Sequence, residues 1–173
     1  MKINIIDPDL YFWDVYPEFK LAMEFKKLFT RDRTKEKNRS SKVMWFIVLT
    51  RDPSSKFYNL PQDEKNAVVG EDYMGDPKFY EKNKETLDPL IEDYIKLALS
   101  PAKRHLINWD KKIQERTEFI NNTKYSLDNF EDLDKMASNT AKIYDTLKKI
   151  KEDLSKEEGE GNLKGGGTAS LND

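Results

Sequence analysis

With 173 residues, 37% of them apolar and 36% charged, the chain has enough material for one substantial core. Its mean hydropathy of -0.85 leaves a large surface to be solvated or covered by partners. The absence of cysteine excludes disulfides, thiolate nucleophiles and cysteine-ligated zinc. The longest apolar run, Val43 to Leu49, falls far short of the roughly 20 residues that cross a bilayer. No leader-like h-region follows the N-terminus, so a protein without membrane contact is expected.

The formal net charge of -2 conceals an asymmetry. Lys26 to Lys42 holds eight basic residues and two acidic ones, a net of +6. Gln62 to Asp93 holds ten acidic residues and four basic ones, a net of -6. Opposed patches of this kind suit head-to-tail contact between copies. They are equally compatible with a solvated basic loop and a solvated acidic helix.

The first 16 residues crowd Ile3, Ile5, Leu10, Tyr11, Phe12, Trp13, Val15 and Tyr16 around an Asp7-Pro8 turn. Pro8 disfavours a helical Asp7, which predicts an extended arm with one turn. So much aromatic surface is costly to leave in water, so the arm lies on its own core or on a neighbour. Pro17 and Glu18 then open a helix with Phe19, Ala22, Met23, Phe25, Leu28 and Phe29 on its apolar face. Polar residues 32 to 41 read as a loop.

Residues 43–49, VMWFIVL, fit a buried strand or a buried helix. Ser40 and Ser41 as N-caps, and Asp52-Pro53 as a stop, favour the helix. PSSKFYNLP reads as loop, Pro61 opens a short helix that Gly70 closes, and Asp76-Pro77 starts another. Pro89 predicts a kink or a restart. Ser100-Pro101 opens a helix running to about Asn122. From Ser126, alternating steps of three and four through Phe130, Leu133, Ala137, Thr140, Tyr144, Leu147, Lys151 and Leu154 predict a long amphipathic helix packed antiparallel to it. The Gly- and Glu-rich remainder has the composition of a flexible tail. The expected fold is mainly α: an extended arm over 1–16, a helical domain over 17–154 ending in a long C-terminal helical hairpin, and a tail over 155–173.

No motif for catalysis stands out. His105 is the only histidine and lacks the partners that acid–base work requires. Gly165 to Gly167 lack the Lys-Ser or Lys-Thr and the helix of a phosphate loop, and neither HExxH nor calcium-loop spacing occurs. No enzymatic activity, cofactor or metal is expected. Arg31, Arg33, Lys35, Lys37 and Arg39 form a basic loop that could rest on phosphates, giving salt-sensitive, sequence-independent affinity. It lacks the interleaved aromatics of a single-strand platform. A nucleic-acid-binding accessory protein is accordingly the alternative reading.

The stretch SSKVMWFIVLTRDPSSKFYNLPQDEK, Ser40 to Lys65, resembles small structural proteins of tailed bacteriophages, above all crAss-like phages. In that pattern an apolar MW-containing segment precedes a D-P-x-S-K-F-Y-N-L-P turn. The resemblance implies a virion component of the neck or head-to-tail connector, a cyclic homo-oligomeric ring on the portal, assembled in the host bacterial cytoplasm. It implies contacts with portal and tail proteins, with non-specific DNA contact as a further option. It marks Trp45, Asp52, Pro53, Lys56, Phe57, Tyr58, Asn59, Leu60 and Pro61 as a structural or interface element. Together with Tyr11, Phe12 and Trp13 of the arm and the basic loop, these are the expected interface residues.

Overall fold

The computed structural model describes the backbone of residues 1, 3 and 6–163, with side chains up to residue 154. Ile5 of the arm and residues 164–173 of the expected tail lie outside the described residues. The chain is mainly helical, and its contacts divide it into two compact units, Met1–Pro101 and Ala102–Asp173. Unit 1 holds α1 (Phe12–Val15), α2 (Met23–Arg31), α3 (Asn38–Arg51), α4 (Gln62–Val69) and α5 (Phe79–Leu97). Unit 2 is built on α6 (Pro101–Asn122) and α7 (Phe130–Leu163).

The ambiguous apolar run is a helix. All eight residues from Val43 to Thr50 are buried. A helix apolar on every side must be enclosed on every side, and α3 indeed touches α1, α2, α4 and α5. Its few polar groups are satisfied within the core. Thr50 Oγ1 donates to the Phe46 carbonyl at 2.8 Å, and Ser55 Oγ donates to the Leu49 carbonyl at 2.6 Å.

Within the arm, residues 12–15 close into one helical turn and supply the hub of the core. The Phe12 ring meets Trp13, Phe19 and Trp45 edge-on at centroid distances of 5.2–5.3 Å, and Tyr16 at 5.4 Å. Three hydrogen bonds hold the arm to α3. Phe12 N–H donates to Ser41 Oγ (2.9 Å), Trp13 Nε1 to Ser40 Oγ (2.9 Å) and Trp45 Nε1 to the Leu10 carbonyl (2.7 Å). Ser40 and Ser41 are thus not N-caps, as the sequence suggests, but buried acceptors one turn inside α3.

Two further expectations are redrawn. The helix predicted from Pro17 is interrupted: Pro17–Leu21 form a 3-10 turn, and extended Ala22 (φ -80, ψ 136) resets the register before α2. The break turns Phe19 and Phe25 inward and leaves Leu21 and Met23 exposed. Conversely, Pro89 neither ends nor splits α5, which runs through it. Leu87, Leu90, Ile91 and Tyr94 around the proline are all buried, so packing outweighs the lost backbone hydrogen bond. The helix closed by Gly70 widens into a π-turn, Gly70–Met74. A Cβ on Gly70 would lie 2.6 Å from the Asp76 carbonyl oxygen, so only glycine fits there.

At the floor of unit 1, Tyr94 Oη donates to Asp52 Oδ2 at 2.7 Å. Both residues are buried. Burial, and then the charge and hydrogen bond of Asp52, push the Tyr94 hydroxyl well above its ordinary range. The Asp52-Pro53 stop therefore ties the end of α3 to α5.

Unit 2 is a helical hairpin. Leu106 and Ile113 of α6, and Leu133, Thr140 and Leu147 of α7, are buried at spacings of seven. A groove of about 420 Å3 takes its walls from both helices, with Trp109 and Phe119 on one side and Met136 and Ile143 on the other. α7 continues as helix through residues 155–163, past the point where a tail was expected.

Tyr94→Phe should destabilise unit 1 by about 1–3 kcal/mol, since it removes a donor from a buried acceptor. Phe12→Ala should cost about 3–5 kcal/mol as a core cavity. Urea unfolding followed by tryptophan fluorescence measures both, and equal or negligible losses would refute this ranking.

Candidate functional site: a basic groove and an acidic tip

The basic loop is shaped by a single carboxylate. Asp32 Oδ2 accepts the Ser40 N–H at 2.6 Å, and Asp32 Oδ1 accepts the Thr34 N–H at 2.9 Å and the Thr34 hydroxyl at 2.7 Å. Thr34 Oγ1 in turn accepts the Arg39 N–H at 3.2 Å. Two of the first free N–H groups of α3 are thereby capped from across the loop. Between them, Glu36 and Lys37 adopt left-handed backbone (φ 56 and 54), unusual for residues with side chains. Tyr11 Oη donates to the Glu36 carbonyl, and Lys37 Nζ donates to the Asp32 carbonyl at 2.9 Å while lying over the Phe29 ring.

This loop forms one rim of a cavity of about 810 Å3 between α2, α3 and α5. Leu28, Val43, Phe79, Leu87 and Leu90 give it apolar walls. Lys27, Arg31, Arg33 and Arg39 stand on its rim. Two of the acids beside them are already engaged: Glu24 pairs with Lys27 at 2.6 Å, and Asp32 caps α3. The third, Glu85, lies next to Pro89, which offers no N–H to the Glu85 carbonyl. Among the described residues, Arg31, Arg33, Arg39 and Lys42 form no ion pair.

The expected interface residues therefore separate. Arg31, Arg33 and Arg39 are exposed at the groove and Lys35 is exposed outside its lining, whereas Lys37 is half-buried and held by Asp32 and Phe29. Phe12, Trp13, Trp45 and Asp52 are not surface at all: each is buried in the core of unit 1, because α3 must be covered. Tyr11 is half-buried against the loop. Of the turn after α3, Lys56 and Asn59 are exposed, while Phe57 and Tyr58 are half-buried beneath Lys56 and Lys65.

The sequence reading missed the loop between α6 and α7. Residues 125–134, YSLDNFEDLD, carry four acids and no base. Leu127 is 92% exposed, with Tyr125 and Phe130 also exposed beside it. The loop is well braced. Ser126 N–H donates to Asn129 Oδ1 (2.8 Å), Asn129 Nδ2 to the Lys124 carbonyl (3.0 Å) and Tyr125 Oη to Asp134 Oδ1 (3.1 Å). Glu131 and Asp132 suit the positive end of α7, but that does not account for an outward leucine flanked by Asp128. The legible signal was the run of acids interleaved with Leu127 and Phe130; the apolar stripe read along α7 took in Phe130 and passed over Leu127.

Among the described residues no group of three or more His, Asp or Glu could hold a metal ion, and no helix is long and apolar enough to cross a membrane. His105 is exposed, and its Nε2 accepts a hydrogen bond from Trp109 Nε1 at 2.6 Å.

The Asp32 carboxyl is held down at about 2, against an ordinary 3.8: burial pushes it up, but hydrogen bonds from Thr34 and Ser40 outweigh burial. Because the folded value lies below the unfolded one, its stabilisation is complete above about pH 4 and disappears as pH falls toward 2. Asp32→Ala should lose about 1 kcal/mol of stability at neutral pH through the lost cap. The gap between variant and parent should close below pH 4 in urea titrations; a gap that persists at pH 2 would contradict the capping role.

No protein-family model, curated protein or solved structure matches the chain.

Proposed function

We propose that the chain is a non-catalytic structural subunit of a tailed-bacteriophage particle, forming a ring at the portal or head-to-tail connector and docking neighbouring neck or tail proteins. The Ser40–Lys65 resemblance supplies the biological setting. The observation that carries an assembly role is Leu127, 92% exposed on a braced acidic tip. A large apolar side chain displayed among charges is more economical when a partner covers it. The unpaired arginines around the apolar groove supply a second, chemically opposite surface on the same chain.

Those arginines also support the second reading, a nucleic-acid-binding accessory protein. Weighing against it, Glu24, Asp32 and Glu85 line the same groove as the arginines. A DNA-binding role predicts affinity that falls steeply with salt and collapses when Arg31, Arg33, Lys35 and Lys37 become glutamate.

Native mass spectrometry of the full chain, alone and released from its parent particle, tests the assembly role. The expected result is a closed homo-oligomer in the particle, with concentration-dependent association of the isolated chain. A monomer under both conditions overturns it.

A further inference from the structure

The groove of unit 1 and the tip of unit 2 are complementary in the two properties that matter for docking. The groove is concave, apolar within and carries on its rim Arg31, Arg33 and Arg39, which form no ion pair among the described residues, beside Lys27, which pairs with Glu24. The tip is braced, carries Leu127 and Phe130 outward and holds four carboxylates within ten residues. We infer that the tip of one copy docks in the groove of a second copy. Leu127 and Phe130 enter between the apolar walls, and Asp128, Glu131 and Asp132 meet Arg31, Arg33 and Arg39. The inference rests on the self-assembling reading above and names the contact that would carry it.

Several features favour this occupant over a phosphate backbone. A cavity of about 810 Å3 has room for a leucine and a phenylalanine side chain together. Phosphates would satisfy the arginines alone, whereas the tip also brings Leu127 and Phe130 to the half-buried Leu28 of the groove; Val43, Phe79, Leu87 and Leu90 are already buried. Glu85 on the far wall also repels a continuous polyanion, while a short acidic segment can point its carboxylates toward the arginine rim alone. Guanidinium groups with free donors bind carboxylates in a bidentate fashion, which fixes register as well as sign. The tip and the groove are different patches, so the contact is heterologous. Such a contact repeats from copy to copy and closes into a ring when its rotation permits. The braces on the tip reduce the ordering cost of docking.

Reciprocal charge reversal in the full chain tests the pairing. One variant carries R31E, R33E and R39E; the other carries D128K, E131K and D132K. In sedimentation velocity each variant alone should remain monomeric at concentrations where the parent chain associates. An equimolar mixture should associate again, because every groove then finds a tip of opposite sign. Leu127→Ser, at a position too exposed to affect folding, should weaken association at least about tenfold with unchanged helicity by circular dichroism. The inference is overturned if either charge variant or Leu127→Ser associates like the parent, if the mixture of folded variants stays monomeric, or if nuclease treatment disperses the parent assembly. Association of the variants would refute this contact and leave the assembly reading standing. A parent chain that never associates, free or in the particle, removes both.

Discussion

The structure depends on the enclosure of α3. Eight consecutive buried residues leave no face of that helix for water, so other parts of unit 1 must come to it. The N-terminal arm does so most intimately, with Phe12 at the centre of the aromatic cluster and Ser40 and Ser41 accepting its N–H groups. α4 and α5 cover other sides, and Phe79 meets Phe46 at 5.1 Å. Aromatic pairs of this kind add about 0.5–1.5 kcal/mol each beyond the area they bury. The cluster therefore adds to the hydrogen bonds that hold the arm on α3.

That enclosure decides which residues can face a partner. Trp45 and Asp52 were expected at an interface, yet both act inward, one on Leu10 and one on Tyr94. The surface chemistry falls to two places that the core leaves unconstrained: the basic loop shaped by Asp32, and the tip between α6 and α7.

Much of the fold was legible because periodicity reports burial. Leu133, Thr140 and Leu147 of the expected α7 stripe lie inward, whereas Phe130, Ala137 and Tyr144 are exposed, and the helix expected over Val43–Leu49 forms without the serine caps that suggested it. Short-range punctuation was less reliable. Pro89 reads as a break, but buried neighbours on both sides carry α5 through it. Ser40 reads as an N-cap, but the cap comes from Asp32, eight residues earlier, across a loop whose left-handed backbone no local rule anticipates. The groove was half visible: its arginines stand out in the sequence, while its apolar walls come from helices far apart in the chain and meet only in the fold. The tip was hidden for another reason: Leu127 lies outside the apolar stripe read along α7, one residue out of phase with buried Leu133, Thr140 and Leu147.

In the proposed assembly role the core and the contacts are separate, so that partners can be gained or lost without unfolding either unit. The most direct measurement is lysine cross-linking on assemblies formed from mixed light and heavy isotope-labelled full-length chains. The account predicts mixed-isotope cross-links joining Lys27, Lys35 or Lys42 beside the groove to Lys124 or Lys135 flanking the tip. Cross-links of these lysines confined to single chains, or between copies through other surfaces only, would contradict it.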